Sequence, residues 1–330
     1  MMGSDEQGGE PAIWLQALTK EYRHRRVLNE VTLRVEPGSV FGFLGANGAG
    51  KTTTIRILLG LARPTSGRAL ILGQDLAISP AQARCAVGFA PDVPVFPSWM
   101  RAQQYLRFVA STFSMNPAQA TRRAGMLLEI SGLSGISQPI GAWSRGMKQR
   151  LGIAQALLNS PRVLVCDEPT SALDPLGRKD VLDMISALSG RATVFFSTHV
   201  LTDVERVCDQ MAVLDRGRLV AQGGIEQIKA QHGSGRRIIV EFTDLAPGDD
   251  PVKAVAAFGW CERVVSQQTN DMPLGDAALL VEASDERAAA HDLPALAAES
   301  RWGLRRLEPQ ELSLEDVFVD IVGPHAEEIS

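Results

Sequence analysis

Lys51 and Thr52 follow a glycine-rich stretch whose spacing suits it to bind phosphate. Residues 41–60 read FGFLGANGAGKTTTIRILLG and fit the pattern G-x-x-x-x-G-K-S/T at Gly45, Gly50, Lys51 and Thr52. Apolar residues before the glycines predict a strand, and the apolar spacing after them predicts a helix. We expect Gly45, Gly48 and Gly50 to adopt backbone angles closed to other residues, so that successive N–H groups point at a phosphate. The alternative is an ordinary glycine-rich turn in an α/β protein.

The side chains of Lys51 and Thr52 suit the binding of the terminal phosphates and of a metal ion at such a site. A lysine at this position reaches the β and γ phosphates of a nucleoside triphosphate, and the hydroxyl one residue later holds a magnesium ion. The stretch therefore predicts a site for a nucleoside triphosphate with Mg²⁺.

Asp167 and Glu168 end a second apolar run, within RVLVCDEPTSALD at residues 162–174. Such a run predicts a central parallel strand buried on both faces, and ligands bind at the carboxyl ends of these strands. Asp167 would hold the magnesium through water, and Glu168 would orient and polarise the water that attacks the γ phosphate. Alternatively, Asp-Glu-Pro only begins a turn, because Pro169 fixes the backbone.

His199 follows a third apolar run, within RATVFFSTHV at residues 191–200. A histidine at a strand end is more often structural than catalytic. Because it falls at the same sheet edge as Asp167 and Glu168, we expect it to donate a hydrogen bond to the γ phosphate and to sense whether ATP is intact.

Ser144 and Gly146 stand just before a predicted helix, within WSRGMKQRLGIAQALL at residues 143–158. They would present a second helix N-terminus to an anion.

With the Asp167 strand directly following, residues 12–230 resemble the nucleotide-binding domain of ABC transporters, and the motifs come in that family's order. The resemblance implies an α/β P-loop NTPase fold with a β subdomain, a RecA-like core and a helical subdomain.

The resemblance also implies a role for each matching residue. Glu168 resembles the catalytic glutamate, His199 the switch histidine and Asp167 the end of the Walker B strand. Ser171 and Asp174 resemble the ends of the D-loop. The Walker A loop, which binds ATP in the family, is matched by Gly45, Ala46, Asn47, Gly48, Ala49, Gly50, Lys51, Thr52 and Thr53.

Tyr22 lies ahead of the first core strands, where the family has an aromatic residue that stacks on adenine. The alternative is a tyrosine at a strand end.

In the family two such domains face head to tail, and each signature helix caps the ATP on its partner's Walker A loop. The resemblance therefore implies an ATP-bound homodimer, or a heterodimer with a related ATPase, in which Ser144, Arg145 and Gly146 contact the other protomer's nucleotide.

Two departures from the family matter, one in the signature and one at Asp92. Its signature Leu-Ser-Gly-Gly-Gln is replaced by Trp143, Ser144, Arg145, Gly146 and Met147. Arg145 either adds positive charge near the γ phosphate or lies solvated on the helix surface. Asp92 stands where the family has a glutamine, and its carboxylate can bind magnesium or water but cannot donate a hydrogen bond as an amide does. Both departures resemble those of the bacterial drug- and antibiotic-exporter branch.

Turn signals and hydrophobic patterns divide the chain into segments. We expect a disordered tail at 1–11, the ATPase domain at 12–230 with its helical subdomain at about 95–160, a flexible linker at 231–237, a small α+β domain at 238–322 and a tail at 323–330. The small domain alternates as β-α-β-β-α-β, the ferredoxin-like pattern, and ends in an amphipathic helix with Leu314, Val317, Phe318 and Ile321 on one face. It carries no catalytic cluster. Its resemblance to the C-terminal extensions of exporter ATPases implies dimer contacts or regulation, and the alternative is an inert packing role.

Composition excludes several other classes of function. The 330 residues carry a net charge of −5, which argues against a nucleic-acid partner. The sequence holds neither a membrane-spanning run of about eighteen apolar residues nor a secretory signal. The cysteines lack metal or disulfide spacing, and we expect buried thiols in a reducing cytoplasm at Cys85, Cys166, Cys208 and Cys261.

These observations predict the ATPase subunit of a membrane exporter, held at the cytoplasmic face of the membrane by a membrane-spanning permease on a separate chain. Its cofactors would be ATP and Mg²⁺, the latter held by Thr52, Asp167 and Asp92. A soluble ABC ATPase acting on ribosomes or DNA is the main alternative, although such relatives usually carry two cassettes or a long coiled coil. A module that binds ATP without hydrolysing it is a third hypothesis, against which the intact set of Lys51, Asp167, Glu168 and His199 argues.

Overall fold

The computed structural model describes residues 9–23, 25–232, 236–267, 273, 275–310 and 313–323. The chain divides into two compact units, one up to Ile225 and the other from Glu226 to Asp320. Across the described ranges, no helix has both the length and the apolar character needed to cross a lipid bilayer.

An antiparallel sheet opens the first unit. Its strands are β1 (Ile13–Tyr22), β2 (Arg25–Val35), β4 (Ser66–Ile71) and β5 (Gln74–Asp75), in the order β2-β1-β4-β5. Ile13, Leu15 and Leu18 of β1 are fully buried, whereas Trp14 between two of them is exposed. This alternation is what a sheet covered on one face requires, and it agrees with the β subdomain expected from the sequence.

A second, mostly parallel sheet forms the centre of the same unit. Its strands are β3 (Val40–Leu44), β6 (Val87–Ala90), β7 (Val163–Asp167), β8 (Thr193–Thr198), β9 (Gln210–Asp215) and β10 (Arg218–Gly224), in the order β10-β9-β3-β8-β7-β6. Every residue of β3 and β8 is buried, as expected for central strands covered on both faces. Because β3, β8 and β7 are parallel neighbours, their carboxyl ends lie side by side.

The helices of the core begin just beyond those strand ends. Helix α1 (Lys51–Leu58) follows the glycine loop, α6 (Pro175–Ser186) follows β7, and α7 (Leu201–Val207) follows β8. The short α2 (Pro80–Cys85) precedes β6. The P-loop NTPase arrangement of strand, glycine loop and helix predicted from the sequence is therefore present.

Three helices between β6 and β7 have a small apolar core of their own. They are α3 (Ala102–Thr112), α4 (Pro117–Ile130) and α5 (Arg145–Ala156), and they fall within the predicted helical subdomain. Trp143, at the position of the signature leucine, is only 4% exposed and belongs to this core. The substitution of tryptophan for leucine therefore keeps an apolar residue in a packed position.

The second unit is an α+β domain. After α8 (Ile225–His232) it contains β11 (Arg236–Thr243), α9 (Pro251–Ala256), β12 (Cys261–Ser266), β13 (Ala277–Ala283), α10 (Glu286–Ser300), β14 (Gly303–Gln310) and α11 (Leu314–Val322). The strand order is β12-β13-β11-β14 with antiparallel neighbours, and residues of α9 and α10 share one apolar core with the sheet. This arrangement agrees with the β-α-β-β-α-β prediction.

Three expectations about the chain ends and the linker need correction or lie outside the described residues. The tail at 1–11 is too long, because Pro11 is buried and the carbonyl of Gly9 accepts a hydrogen bond from Arg34. The linker at 231–237 overlaps both α8 and β11, and its centre, 233–235, lies outside the described residues. Residues 1–8, residues 324–330 and the side chain of Ile321 also lie outside them.

The expectation of buried thiols is wrong for most of the cysteines. Cys166, in the central strand β7, is buried, but Cys85 is exposed, and Cys208 and Cys261 are partly exposed. These three stand at the end of α2, just after α7 and at the start of β12, where packing covers only part of the side chain. Burial raises the pKa of the Cys166 thiol to about 12.

Candidate active site

The glycine loop and the start of α1 line a cavity of ≈ 1060 Å³ at the carboxyl ends of the central strands. Neither a side-chain cap nor an acidic residue stands in the first turn of α1. The N–H groups at this helix start therefore face no competing acceptor there and suit an anion. Lys51, Thr52 and Thr53 line the same cavity.

Gly45 is required in the loop for a reason other than the one expected from the sequence. Gly48 and Gly50 have positive φ angles, of 82° and 119°, as predicted. Gly45 does not, but a Cβ atom there would stand 2.5 Å from the carbonyl oxygen of Leu214. The loop thus lies directly against the end of β9, and only glycine allows that approach.

Glu168 lies between two nitrogen-bearing side chains. Its Oε1 is 3.1 Å from the ammonium nitrogen of Lys51, and its Oε2 is 2.8 Å from Nδ1 of His199. The Lys51 ammonium also donates hydrogen bonds to the carbonyl oxygens of Gly45, at 2.6 Å, and Ala46, at 3.3 Å. With side-chain exposures of 5% for Lys51 and 16% for Glu168, the contacts are shielded from water, which strengthens them. The three residues singled out from separate motifs therefore meet.

The backbone of Glu168 adopts an uncommon conformation, with φ at 47°. A non-glycine residue reaches this region only when its surroundings hold it there, and such residues cluster at functional sites. Here the Glu168 N–H donates to both the carbonyl oxygen and the hydroxyl oxygen of Ser197, at 3.1 and 3.2 Å. The same Ser197 hydroxyl donates to Oδ1 of Asp167 at 2.7 Å. One buried serine thus positions both acidic residues.

Asp167, Glu168 and Asp92 all line the cavity, and their charges act on one another. The pKa of Asp167 is raised mainly by burial and further by the charges of Glu168 and Asp92, against the lowering effects of Ser197 and Lys51. The pKa of Asp92 is raised mainly by burial and further by Glu168, against a lowering by Arg145. A divalent cation would relieve this crowding of carboxylates, and oxygen ligands of this kind suit Mg²⁺.

The donor set does not form a complete metal cage. In the described part of the chain, no group of three or more His, Cys, Asp or Glu side chains is arranged to hold a metal ion by itself. Mg²⁺ at phosphate sites is usually bound by one or two protein ligands together with the phosphates, so the carboxylates and the Thr52 hydroxyl fit that ion as part of such a site.

The start of α5 does not line this cavity. Ser144 is its N-cap and accepts a hydrogen bond from the N–H of Met147 at 3.2 Å. Gly146 packs against the start of α6, where a Cβ on it would lie 3.5 Å from Cα of Gly177. Asp174 caps α6 by accepting from the Gly177 N–H. The structure therefore brings the signature and D-loop segments together and leaves Ser144, Arg145 and Gly146 outside their own chain's cavity.

Comparison with known proteins identifies the family. A family model described as "ABC transporter" matches residues 28–171. The Nod factor export ATP-binding protein I of Ralstonia nicotianae is 33% identical over 96% of this chain and 95% of its own length. The bacitracin transport ATP-binding protein BcrA of Bacillus licheniformis is 37% identical over 65% of this chain and 70% of its own length. The chain belongs to the family of ABC transporter ATP-binding proteins.

The solved structures agree with this assignment. A structure of the ATP-binding subunit of an ABC transporter is 33% identical, covers 67% of this chain and 93% of its own, and superposes with a TM-score of 0.61. As a member of this family the chain is an ATP-binding ATPase, and its sequence of strand, glycine loop and helix is that of a P-loop NTPase. Both named relatives serve export or antibiotic transport, in line with the exporter branch expected from the sequence.

Tyr22 is not among the residues that line the ABC protein's cavity. It ends β1, is 43% exposed, and pairs in register with Arg25, which does line the cavity. The Lys20 ammonium lies 4.7 Å from the centre of its ring. Stacking on adenine therefore stays a prediction. Tyr22 itself does not line the cavity, but its partner on the neighbouring strand, Arg25, does.

Several residues at the site were missed by the sequence reasoning. Ser197 carried no motif of its own, and only its pairing in register with Asp167 places it under both acids. A further wall of the cavity is formed by Arg25, Arg26, Val27, Asp215 and Arg216. The basic run at 23–26 and the turn predicted at 215–217 were the available signals. Their joint position follows from long-range hydrogen bonds, from the Gly217 N–H to Ala49 and from the Asn29 N–H to Gly217.

Proposed function

We propose that this chain is the ATP-hydrolysing subunit of an exporter, which dimerises head to tail around two ATP molecules and drives a membrane-spanning permease on a separate chain. The observation that carries the proposal is the meeting of Lys51 and His199 on the two carboxylate oxygens of Glu168, beside an uncapped helix start, with Lys51 and Glu168 lining the cavity. Membership of the ABC family and the export names of two relatives support it.

Each residue at the cavity has its own role in ATP binding and hydrolysis. Lys51 and the N–H groups of the glycine loop bind the β and γ phosphates, and Tyr22 stacks on adenine. Glu168 accepts a hydrogen bond from the attacking water and orients it, while His199 donates to the γ phosphate. Thr52, Asp167 and Asp92 hold Mg²⁺, which when bound neutralises charge on the phosphate oxygens.

The second half of each site comes from another protomer. Ser144, Arg145 and Gly146 stand apart from their own chain's cavity, yet α5 offers a helix start suited to an anion. In the proposed dimer Ser144 and Gly146 cap the partner's nucleotide, with Ser171 and Asp174 of the D-loop beside them. A single chain is then an incomplete enzyme, whether its partner is a second copy or a related ATPase.

The segment after Asp92 supports a permease partner. It places large apolar side chains in solvent, with Val93 62%, Val95 85% and Trp99 76% exposed. Phe108, on the following helix α3, is 61% exposed. Exposed apolar residues of this size are typical of protein interfaces, and this subdomain is where we place the contact with the permease at the cytoplasmic face of the membrane.

Membrane fractionation of the source cells tests the proposal. We expect the chain in the membrane fraction, and we expect Trp99→Asp to move it to the supernatant with its ATP affinity unchanged. Leu61→Asp is the matched control, because Leu61 is 70% exposed but lies after α1, outside that segment. Recovery of the wild type with ribosomes or in the supernatant would contradict the proposal and favour a soluble ABC ATPase.

A further inference from the structure

One face of α5 packs along the loop that follows β6. Arg145, Gln149 and Gly152 lie on this face, because they are separated by four and three residues. Gln149 is 2% exposed and donates a hydrogen bond to the carbonyl oxygen of Pro91 at 3.1 Å. A Cβ on Gly152 would lie 3.3 Å from Pro94. The helix and the loop are thus held together on both sides of Asp92.

Arg145 makes the third contact of this face. Its Nη2 lies 3.7 Å from Oδ1 of Asp92, a charge contact longer than a hydrogen bond. That Oδ1 atom is buried and accepts no hydrogen bond within the described part of the chain, so the guanidinium provides nearby compensation for its charge. The two side chains are 47% and 41% exposed. Two residues that depart from the ABC family, Arg145 and Asp92, are therefore paired with each other, although they stand far apart in sequence.

This pair connects two functional regions of one protomer. Asp92 lines the cavity together with Asp167 and Glu168. Arg145 stands between Ser144 and Gly146, which do not line that cavity. A cation bound at Asp92 would compete with Arg145 for the carboxylate, because both are attracted to the same negative charge.

We propose that Arg145 is a positioning residue that acts through Asp92. The pair sets the orientation of the start of α5, so that what binds beside Asp92 controls how well Ser144 and Gly146 cap the partner's nucleotide. This inference rests on the proposed function, since it requires the head-to-tail dimer. It differs from both roles expected from the sequence, in which Arg145 touches the partner's γ phosphate directly or lies solvated.

A double-mutant cycle tests this coupling. The full chain would carry Glu168→Gln to prevent turnover, and sedimentation would measure the ATP concentration that gives half-maximal dimer in Mg²⁺. Arg145→Gln and Asp92→Asn should each raise that concentration, by about threefold for a half-exposed pair. The double variant should show no more than the larger single effect, because the second change removes nothing further.

Two further variants separate positioning from general effects. Arg145→Lys keeps the positive charge, so it should raise the ATP concentration for half-maximal dimer much less than Arg145→Gln does. Arg122→Gln removes an exposed charge from α4 and should leave dimerisation unchanged. Equal thermal midpoints for all variants would show that they are folded alike, and higher salt should shrink the effect of the pair.

Each other outcome overturns the inference. Effects that multiply in the double variant, so that the loss with Arg145→Gln persists in full in the Asp92→Asn background, would mean that Arg145 acts independently of Asp92. No change in any variant would mean that Arg145 is a solvated surface residue. If the Glu168→Gln parent itself forms no dimer with ATP, the proposed function falls and the inference falls with it.

Discussion

Glu168 shows how much of this site depends on a single residue position. Its carboxylate contacts Lys51 from the glycine loop and His199 from the end of β8. Its backbone is held at a positive φ by the Ser197 beneath it. Side chains from the start of α1 and the end of β8 are therefore oriented through one acidic residue, and that residue, which we assign to water activation, has a strained backbone.

Gly45 offers a prediction at this scale. Gly45→Ala would place a methyl group 2.5 Å from the Leu214 carbonyl oxygen, so the glycine loop must shift away from β9. We expect ATP affinity to fall by about tenfold or more, which is about 1.4 kcal/mol. Titration of the purified chain with a fluorescent ATP analogue measures this affinity.

The control for this variant is Gly125→Ala. A Cβ at Gly125, within α4, meets no heavy atom within 4 Å, and alanine favours a helix. ATP affinity should stay as in the wild type. Equal affinity of Gly45→Ala and the wild type would show that the loop does not depend on this close approach.

At the residue scale the sequence revealed the groups with distinctive motifs and missed those placed by pairing. Lys51, Asp167 and Glu168 were found because their spacing has a chemical meaning of its own. Ser197 was missed because its role depends on the register between β7 and β8. The Arg145–Asp92 pair was missed because it joins two segments whose distance in space no local pattern reveals.

At the scale of elements, α11 is fixed to its sheet by its first turn. Ser313 and Asp316 form a capping box, in which the Asp316 N–H donates to the Ser313 hydroxyl oxygen and the Ser313 N–H donates to the Asp316 carboxylate, both at 3.2 Å. The same carboxylate pairs with Arg237 of β11 at 2.5 Å. These contacts outweigh the effect of burial and lower the pKa of Asp316.

Asp316→Asn should therefore destabilise the second unit in a pH-dependent way. A carboxyl group whose pKa is lower in the folded than in the unfolded state stabilises the fold above the unfolded value, and this contribution is lost as the pH falls through the folded value. We expect a loss of up to about 1 kcal/mol at pH 7, because the carboxylate is partly exposed. The difference from the wild type should shrink below about pH 4.

Calorimetry of the full chain at several pH values measures this dependence. Glu315→Gln is the matched control, since it removes a charge from an exposed position in the same helical turn. It should leave the dependence on pH as in the wild type. A difference between Asp316→Asn and the wild type that stays constant from pH 7 to pH 3 would contradict the assigned ion pair.

Helices and strands with a regular hydrophobic pattern were predicted well. The residues at which they begin and end were predicted less well. The strands of both units follow runs that are continuously apolar or alternating, which the sequence shows directly. The linker at 231–237 was misplaced because the glycine signal lies between α8 and β11, whose ends extend into it. The ATPase domain is expected to extend to residue 230, whereas the second unit begins at Glu226, within α8.

At the scale of the whole molecule, the proposed function gives the chain two halves of different sites. We assign nucleotide binding to the cavity with Lys51 and Glu168, and the start of α5 is not part of its lining. The simplest arrangement that uses both is the head-to-tail dimer, which completes each cavity with a helix start from the partner. This step could be taken only from the family resemblance, because no pattern within one chain describes a second copy.

The most direct test of this account compares the wild type with Glu168→Gln in ATPase assays and in gel filtration with Mg-ATP. The wild type should hydrolyse ATP and elute mainly as a monomer, because turnover reopens the dimer. The variant should lose at least about a hundredfold of the activity and accumulate as an ATP-bound dimer. A variant that hydrolyses ATP as fast as the wild type, or one that binds ATP yet stays monomeric at every concentration, would contradict the assignment of Glu168 and the head-to-tail site.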